Sequence, residues 1–299
     1  MTQNLVSVIL TCYNGEKWIG ETIRSVLSQT YNKFELIIVN DGSTDSSKTI
    51  IGDFLKDNRL KYIEQKNRGI PGARNRGLFE SNGEYVCILD QDDIWLPQKI
   101  EKEIDYLKPN TKFGVVYTSM EHIDSEGKFL NTKIYSKPKE GKLFECFLKR
   151  YVAVPIVTTM IRREMIDKVN GFDEKLFGKD DFDILLRISE ITDFGLIPDI
   201  LVKKRIRPER ASISESNYKD NFYLIAKHKK LWTEYSNLIQ NFEIKSYYLY
   251  GSYLLDNKRL REARQQFSSV LKLKPFYPEA LVKYILTFLC KTNQKYRLL

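Results

Sequence analysis

Short apolar strands alternate with helices along the N-terminal third of the chain, and this alternation is the feature that most limits its fold. Runs rich in Val, Ile and Leu predict strands over residues 5–10, 34–39, 60–63 and 84–89. Helix signals between them predict helices over residues 16–29, after Ser43-Thr44-Asp45, and from Pro71 to about residue 81. Such alternation builds right-handed βαβ units, so we predict an α/β fold with a mainly parallel central sheet.

The middle of the chain is less regular. Residues 113–120 and 156–162 are predicted as strands, residues 128–138 as a loop, and residues 180–191 as a helix with an acidic first turn. Ligands of parallel sheets gather beyond the carboxyl ends of the strands. Polar clusters stand at three such ends, and we expect them to meet in one crevice. They are residues 11–14, residues 40–43 and residues 90–93.

The acidic cluster at residues 90–93 follows a predicted buried strand. It reads Asp90-Gln91-Asp92-Asp93. Crowded carboxylates repel one another unless a cation neutralises them, and oxygen ligands without His or Cys favour Mg²⁺ or Mn²⁺, which can also bind a diphosphate. The alternative is a helix cap, with Asp92 or Asp93 capping a helix that Pro97 opens. A cap needs one carboxylate, so we assign Asp93 to it and keep the other two for ligand binding.

Two other segments contain candidate side chains. Asp41 can accept a hydrogen bond from a nucleobase if it points into the crevice, and Tyr13 can stack on the same base. The alternatives are a turn with a helix cap for residues 40–45 and a half-buried loop aromatic for Tyr13. Asp180 and Asp181 open a predicted helix, where acidic residues also favour the helix dipole.

Taken together, these motifs resemble the successive motifs of family-two inverting glycosyltransferases with the GT-A fold. The resemblance extends from Val6 to about residue 214. Each motif alone is too loosely defined to identify a family, but five motifs in this order and spacing are highly specific for this one. They are residues 6–14, residues 39–45, residues 67–75, residues 89–95 with their Asp-X-Asp (DXD) pattern, and residues 171–187.

The resemblance implies a nucleotide-sugar donor, a Mn²⁺ or Mg²⁺ cofactor and a saccharide or lipid-linked acceptor, in cell-surface polysaccharide or glycolipid synthesis. It implies one catalytic residue, Asp181, as the base that takes the acceptor proton, and one metal ligand, Asp92. The nucleobase of the donor, usually uracil in this family, would contact Thr11, Tyr13 and Asp41. Arg68 or Arg74 would complete the contacts to the nucleobase and the ribose. Asp90 would approach the ribose, with Gln91 also contacting the donor.

The sequence departs from the family pattern at two places. Asp180 stands where the family usually has Glu before the catalytic Asp, which shortens that side chain. The family often has a metal-binding His after a later strand, and Arg207 stands near that position here. Arg207 could contact the phosphates directly instead.

The C-terminal region, residues 215–299, is predicted to be helical and separate from a catalytic domain over residues 1–214. It contains 15 basic and seven acidic side chains, so it carries +8 of the total formal charge of +9. Some of its residues have the spacing of a tetratricopeptide repeat: Tyr247, Tyr250, Gly251, Leu254, Ala263, Phe267 and Pro275. The alternative is a helical cap with Trp232, Phe242 and Phe288 in its core. The basic charge could attract an anionic membrane surface, and we expect no nucleic-acid partner.

Other classes fit less well. A nucleotidyltransferase or a dinucleotide dehydrogenase would need a glycine-rich phosphate loop after the first strand, and residues 13–16 do not provide one. The four cysteines form no CxxC pair, which argues against a zinc site. No apolar run approaches the ~20 residues of a membrane span and no signal peptide is recognisable, so we expect a cytoplasmic protein. A peripheral position at the inner membrane surface is one interpretation of the basic C-terminal region, and solubility is the alternative. A non-catalytic nucleotide-sugar-binding or scaffold protein, acting through the helical tail, is the alternative function.

Overall fold

The computed structural model describes residues 1–133, 139–149, 154–206, 214–229 and 235–289. The chain divides into two units, Met1–Arg210 and Ala211–Leu299. The predicted domain boundary after residue 214 remains a prediction. No helix in the described ranges is long and apolar enough to cross a bilayer.

The described part of the first unit contains nine strands and seven α-helices. The strands are β1 Thr2–Cys12, β2 Phe34–Asn40, β3 Leu60–Glu64, β4 Gly83–Asp90, β5 Ile94–Trp95, β6 Phe113–Ile123, β7 Phe129–Lys133, β8 Thr159–Arg162 and β9 Asp193–Arg205. The helices are α1 Ile19–Leu27, α2 Ser47–Gly52, α3 Gly69–Glu80, α4 Lys99–Leu107, α5 Phe144–Leu148, α6 Arg163–Lys168 and α7 Asp180–Ser189.

All nine strands belong to one mixed sheet, with the order β3-β2-β1-β4-β8-β6-β9-β5 and β7 paired with β6. Strands β1 to β4 pair in parallel, as do β6 and β9, whereas β5, β7 and β8 pair antiparallel. The predicted α/β sheet followed by helices is confirmed. In the register, Thr11 of β1 faces Asp90 of β4, and Cys12 faces Asn40 of β2. The polar ends of three strands are therefore neighbours.

Close packing of α3 on β1 depends on a glycine. Val8, Ile9 and Leu10 of β1 have no exposed surface. A Cβ on Gly77 would lie 2.3 Å from Cγ2 of Ile9, well inside van der Waals contact. The missing side chain lets α3 approach the sheet, which positions Arg74, one helical turn before Gly77, near the strand ends.

Three predicted elements differ from the structure. The strand predicted over residues 156–162 begins only at Thr159, because Ile156–Thr158 forms a 3₁₀ helix. Residues 129–133, within the predicted loop, form β7, because they pair antiparallel with β6; residues 134–138 are outside the described ranges. The helix expected to open at Pro97 begins at Lys99, because Ile94 and Trp95 first form β5 against β9.

In the second unit, the described residues form α8 Glu215–Lys227, α9 Ser236–Asp256, α10 Leu260–Leu273 and α11 Pro278–Leu289. A Cβ on Gly251 would lie 2.9 Å from the Phe267 ring, so α9 and α10 approach closely, as the repeat-like spacing requires. Phe242 is buried as predicted, but Phe288 is 49% exposed, so its assignment to the core is wrong. Trp232 lies outside the described residues. The tetratricopeptide-like character remains a prediction.

Candidate active site

The loop after β1 is fixed by the side chain of Gln91. The Tyr13 backbone N–H donates to Oε1 of Gln91 at 2.7 Å, and Nε2 of Gln91 donates to the Tyr13 carbonyl at 3.0 Å. Gly15 leaves room for this amide, because a Cβ there would lie 2.5 Å from Oε1. The Tyr13 side chain is 49% exposed. Gln91 thus positions the tyrosine, whose ring is free to stack on a flat ligand.

The buried Asp41 carboxylate orders the segment that precedes α3. Its Oδ1 accepts hydrogen bonds from the Arg68 backbone N–H at 2.8 Å and from Nε2 of Gln65 at 2.7 Å. The Arg68 guanidinium forms an exposed ion pair with Glu174 at 2.8 Å. Asp41 therefore positions Arg68, and Arg68 links this segment to the one that leads into α7.

Arg74 joins the end of β4 to the start of α7. Its NH2 group donates to Oδ1 of Asp90 at 2.8 Å, and its NH1 group donates to Oδ2 of Asp180 at 2.6 Å. The side chain is 5% exposed, and its guanidinium carbon lies 5.5 Å from the centre of the Phe172 ring. Burial alone would lower the pKa of Arg74, but Asp180, Asp90 and Asp181 together raise it.

The first two residues of α7 have different environments. Asp180 is buried, and burial raises the pKa of its carboxyl to about 6 against the opposing charge of Arg74. Asp181 is partly exposed, and its Oδ1 accepts the Phe182 backbone N–H at 2.7 Å. Asp180 therefore does more than interact with the helix dipole of α7, because its carboxylate forms a buried ion pair with Arg74. Asp181 is the carboxylate of this pair that remains accessible.

Asp93 does not cap a helix, so that assignment is wrong. Its carboxylate is buried, accepting the Arg205 backbone N–H at 2.9 Å and Nζ of Lys204 at 3.2 Å. Helix α4 has no side-chain cap. The physical reason is the pairing of β5 with β9, which brings the end of β9 against the acidic cluster before the helix begins.

Lys204 supplies positive charge to the acidic cluster. Its Nζ also lies 3.8 Å from Oδ2 of Asp90. Burial raises the pKa of Asp93 to about 7, with Lys204 opposing the rise and Asp92 adding to it. Burial would lower the pKa of Lys204, but Asp93, Asp90 and Asp92 raise it above its usual value. Lys204 therefore neutralises part of the negative charge of the acidic cluster.

The buried Arg205 holds the main chain of the acidic cluster. Its Nε donates to the Asp92 carbonyl at 3.0 Å, and its NH2 group pairs with Glu21 at 2.7 Å. Sequence reasoning missed Lys204 and Arg205 as site residues, although a basic pair ending a strand was a usable signal. It concentrated on Arg207, which lies outside the described residues.

The donor set around Asp92 fits a divalent cation that binds together with phosphates. Among the residues described, no three His, Cys, Asp or Glu side chains form a preassembled metal cage. Asp93 accepts hydrogen bonds from Lys204 and from the Arg205 backbone N–H, and Asp90 accepts one from Arg74 and lies near Lys204. Asp92 is the third carboxylate at this strand end, and Arg205 holds its main chain. One or two carboxylates are enough for Mg²⁺ when substrate phosphates supply further oxygens.

The structure therefore brings the predicted residues to one edge of the sheet, while the role of each towards a ligand stays a prediction. Thr11 lies beside Asp90 in the register, and Tyr13 is held by Gln91. Arg74, expected at the base and ribose, is engaged by two carboxylates. The roles of Asp41, Arg68, Asp92 and Asp181 towards ligands stay predictions.

Comparison with known proteins identifies the same region. A family model described as Glycosyl transferase family 2 matches residues 7–169. An uncharacterized glycosyltransferase of Rickettsia bellii is 34% identical over 71% of this chain and 30% of its own length. An uncharacterized glycosyltransferase of Methanocaldococcus jannaschii is 32% identical over 79% of each chain. This chain thus spans about a third of the length of the Rickettsia bellii relative.

A further relative is the Escherichia coli UDP-Glc:alpha-D-GlcNAc-diphosphoundecaprenol beta-1,3-glucosyltransferase WfgD, 28% identical over 87% of this chain and 96% of that protein. Among solved structures, S. aureus TarS 1–349 in complex with UDP-GlcNAc superposes with a TM-score of 0.65, at 18% identity, covering 95% of this chain and 89% of that one. The mannosyltransferase PcManGT from Pyrobaculum calidifontis, in complex with GDP-Man and Mn²⁺, gives a TM-score of 0.59 at 17% identity, covering 95% and 79%. The predicted GT-A fold is confirmed by these structural matches.

Proposed function

Since the chain belongs to glycosyl transferase family 2, we propose that it transfers a sugar from a UDP-sugar to an acceptor hydroxyl with inversion at the anomeric carbon. The observation that carries the proposal is the Arg74 bridge. One buried guanidinium joins Asp90, at the strand end where a donor would lie, to Asp180, the neighbour of the accessible Asp181. This single group would connect the donor site to the base.

The donor would bind at the ends of β1, β2 and β4. Tyr13 would stack on the base, which Thr11 and Asp41 would also contact. Arg68 or Arg74 would complete the base and ribose contacts, and Asp90 would approach the ribose, near Gln91. A uridine donor is favoured because WfgD is named for UDP-Glc and S. aureus TarS was solved with UDP-GlcNAc. The mannosyltransferase solved with GDP-Man makes a guanosine donor the competing outcome.

Mn²⁺ or Mg²⁺ would be held by Asp92 together with the donor phosphates, and when bound it would neutralise the charge on the departing diphosphate. The mannosyltransferase that resembles this fold was solved with Mn²⁺. Arg205 supports this role of Asp92 from the protein side, because its hydrogen bond to the Asp92 carbonyl fixes the main chain there.

Asp181 would act as the general base. As the acceptor oxygen attacks the anomeric carbon, its proton passes to the Asp181 carboxylate, while the bond from that carbon to the diphosphate oxygen breaks. The nucleoside diphosphate leaves with the electron pair. A single displacement of this kind inverts the configuration, and a positioned base contributes about 10²–10⁴-fold.

The acceptor class that we propose is a saccharide or lipid-linked saccharide in cell-surface polysaccharide or glycolipid synthesis. Two E. coli relatives favour it: WfgD, whose name gives a GlcNAc-diphosphoundecaprenol acceptor, and a chondroitin synthase 30% identical over 74% of this chain.

The base is tested with Asp181→Asn, which keeps the shape of the side chain but removes its basicity. Transfer from nucleotide-sugar should fall about 10²–10⁴-fold while nucleotide binding by calorimetry is retained. The exposed Asp53→Asn, on the chain just after α2, is the matched control and should keep full activity. Normal turnover by Asp181→Asn would exclude this residue as the base.

The metal is tested by chelation. Transfer should stop in chelator and return with Mn²⁺ or Mg²⁺, and Asp92→Asn should need a higher metal concentration. Full activity in chelator would exclude metal dependence. If the protein binds nucleotide-sugars but turns over none of them with any saccharide acceptor, the non-catalytic binding or scaffold function takes the place of this proposal.

A further inference from the structure

The last described helix, α11, has an exposed apolar face. Five of its side chains are between 46% and 71% exposed, and at 100° per residue they fall on one side of the helix. They are Leu281, Val282, Ile285, Phe288 and Leu289. The opposite side is packed, with Ala280 and Thr287 buried. Phe276, two residues before the helix, is 92% exposed.

The corresponding face of α9 is covered. Leu281, Ile285 and Phe288 follow Tyr247, Gly251 and Leu254 by one tetratricopeptide period of about 34 residues. In α9 that face receives α10: Leu254 is completely buried, and a Cβ on Gly251 would meet the Phe267 ring at 2.9 Å. Repeat arrays normally end on a polar outer face, because an apolar one requires a partner. The exposed apolar face of α11 is therefore the counterpart of a face that is covered in α9.

Basic side chains outnumber acidic ones in the described residues of α10 and α11 and the turn before α10. From Lys258 to Leu289 the sequence contains seven Lys and Arg but two Asp and Glu. The Arg264 guanidinium lies 3.6 Å from the centre of the Phe288 ring and donates to the Thr287 carbonyl at 2.9 Å. Lys272 and Lys274, at the end of α10, are exposed. A second copy of the chain would bring an equally basic surface against it, and such like-charge contacts oppose association.

We propose that the apolar face of α11 and its basic surroundings bind the surface of an anionic phospholipid bilayer. The apolar side chains would enter the boundary between headgroups and acyl chains, and Lys and Arg would contact the lipid phosphates. Helix α11 is about 18 Å long, too short to span the bilayer, so it would lie in the plane of the interface. The proposal does not depend on the donor site, and its failure would leave the proposed transferase function unaffected.

The test is co-sedimentation of the full chain with phosphatidylcholine vesicles, with and without phosphatidylglycerol. Binding should require phosphatidylglycerol and weaken as salt increases. Ile285→Ser with Phe288→Ser should reduce the bound fraction to that of neutral vesicles. Phe79→Ser is the matched control, because Phe79 is an 82% exposed aromatic residue on α3. Lys272→Gln with Lys274→Gln should weaken binding by about 30-fold.

Three results would overturn the proposal. The first is equal binding to neutral and anionic vesicles, and the second is unchanged binding of the Ile285 and Phe288 variant. The third is a protein that does not bind vesicles but forms a dimer in sedimentation equilibrium, with the Ile285 and Phe288 variant remaining monomeric. That result would show that the apolar face of α11 binds a second copy of the chain. If circular dichroism shows that the apolar variant has unfolded, the Lys272 and Lys274 variant decides, since both side chains are exposed and unchanged vesicle binding would then reject the proposal.

Discussion

Replacing Arg74 with Met should destabilise the first unit more than most single substitutions. Methionine fills similar space but provides no positive charge. The change leaves the Asp180 carboxylate, which is 4% exposed, without its cationic partner. It also removes one partner of Asp90, whose side chain is 32% exposed and which keeps Lys204 nearby. The unpaired charge at Asp180 therefore dominates the cost.

Removing one partner of a buried ion pair costs about 3–5 kcal/mol, because the remaining charge is desolvated without compensation. For a unit of roughly 200 residues, 1 kcal/mol lowers Tm by about 2–4 °C, so the Tm of Arg74→Met should fall by about 6–20 °C. Arg74→Lys keeps the charge but cannot donate to two carboxylates through a planar fork, so its loss should be smaller.

Differential scanning calorimetry measures the change, with Arg76→Met as the matched control. Arg76 lies on the same helix, is 42% exposed and pairs with Glu80, so its removal should cost less than about 1 kcal/mol. Adding Asp180→Asn to Arg74→Met should restore part of the stability, because the buried carboxylate is then neutral. A Tm for Arg74→Met within about 2 °C of the wild type, or equal losses for Arg74→Met and Arg76→Met, would refute this account.

Two further predictions concern the core of the first unit. Gly77→Ala should cost about 1–3 kcal/mol in chemical unfolding, because its Cβ would overlap Ile9, whereas Gly52→Ala, with open space around it, should be neutral or stabilising; equal effects would contradict the close approach of α3. Burial raises the pKa of Glu103 to about 7 although Lys99 is bonded to it at 2.7 Å. Between about pH 4.5 and 7 the folded protein retains a proton that the unfolded chain has lost, so the free energy of unfolding should decrease with rising pH, by up to about 3 kcal/mol. Lys99→Met with Glu103→Gln should show a shallower dependence, with the remainder due to Asp93 and Asp180, whose pKa values burial also raises. An equal slope in both proteins would exclude Glu103 as a source.

How well a feature could be predicted from the sequence depended on how far apart along the chain its interacting residues lie. Strands β1, β2 and β4 are recognisable because their apolar, β-branched residues are buried on both faces of the sheet. Strand β7 was missed because it is short and depends on pairing with β6. Phe288 was assigned to the core because it is aromatic on a helical pattern, but the pattern cannot indicate which face of a helix has a partner.

The site residues also divide into those whose position can be predicted from the sequence and those whose partners depend on the tertiary structure. The sequence by itself determined which polar clusters follow which strands, and therefore that Tyr13, Asp41 and Asp90 lie at one edge of the sheet. Only the tertiary structure decided the partners of the charged groups. Asp93 has the local pattern of a helix cap, yet it meets Lys204, 111 residues further along the chain.

Arg74 reaches Asp180 across 106 residues, a contact to which no local pattern points. Steric and hydrophobic preferences between residues that are near neighbours in the chain determine the main-chain conformation. These preferences can be inferred from the sequence alone. The partner of a buried charge depends on where the whole sheet and its helices bring the other charges, because a buried charge is stable only where an opposite charge or a set of hydrogen bonds reaches it.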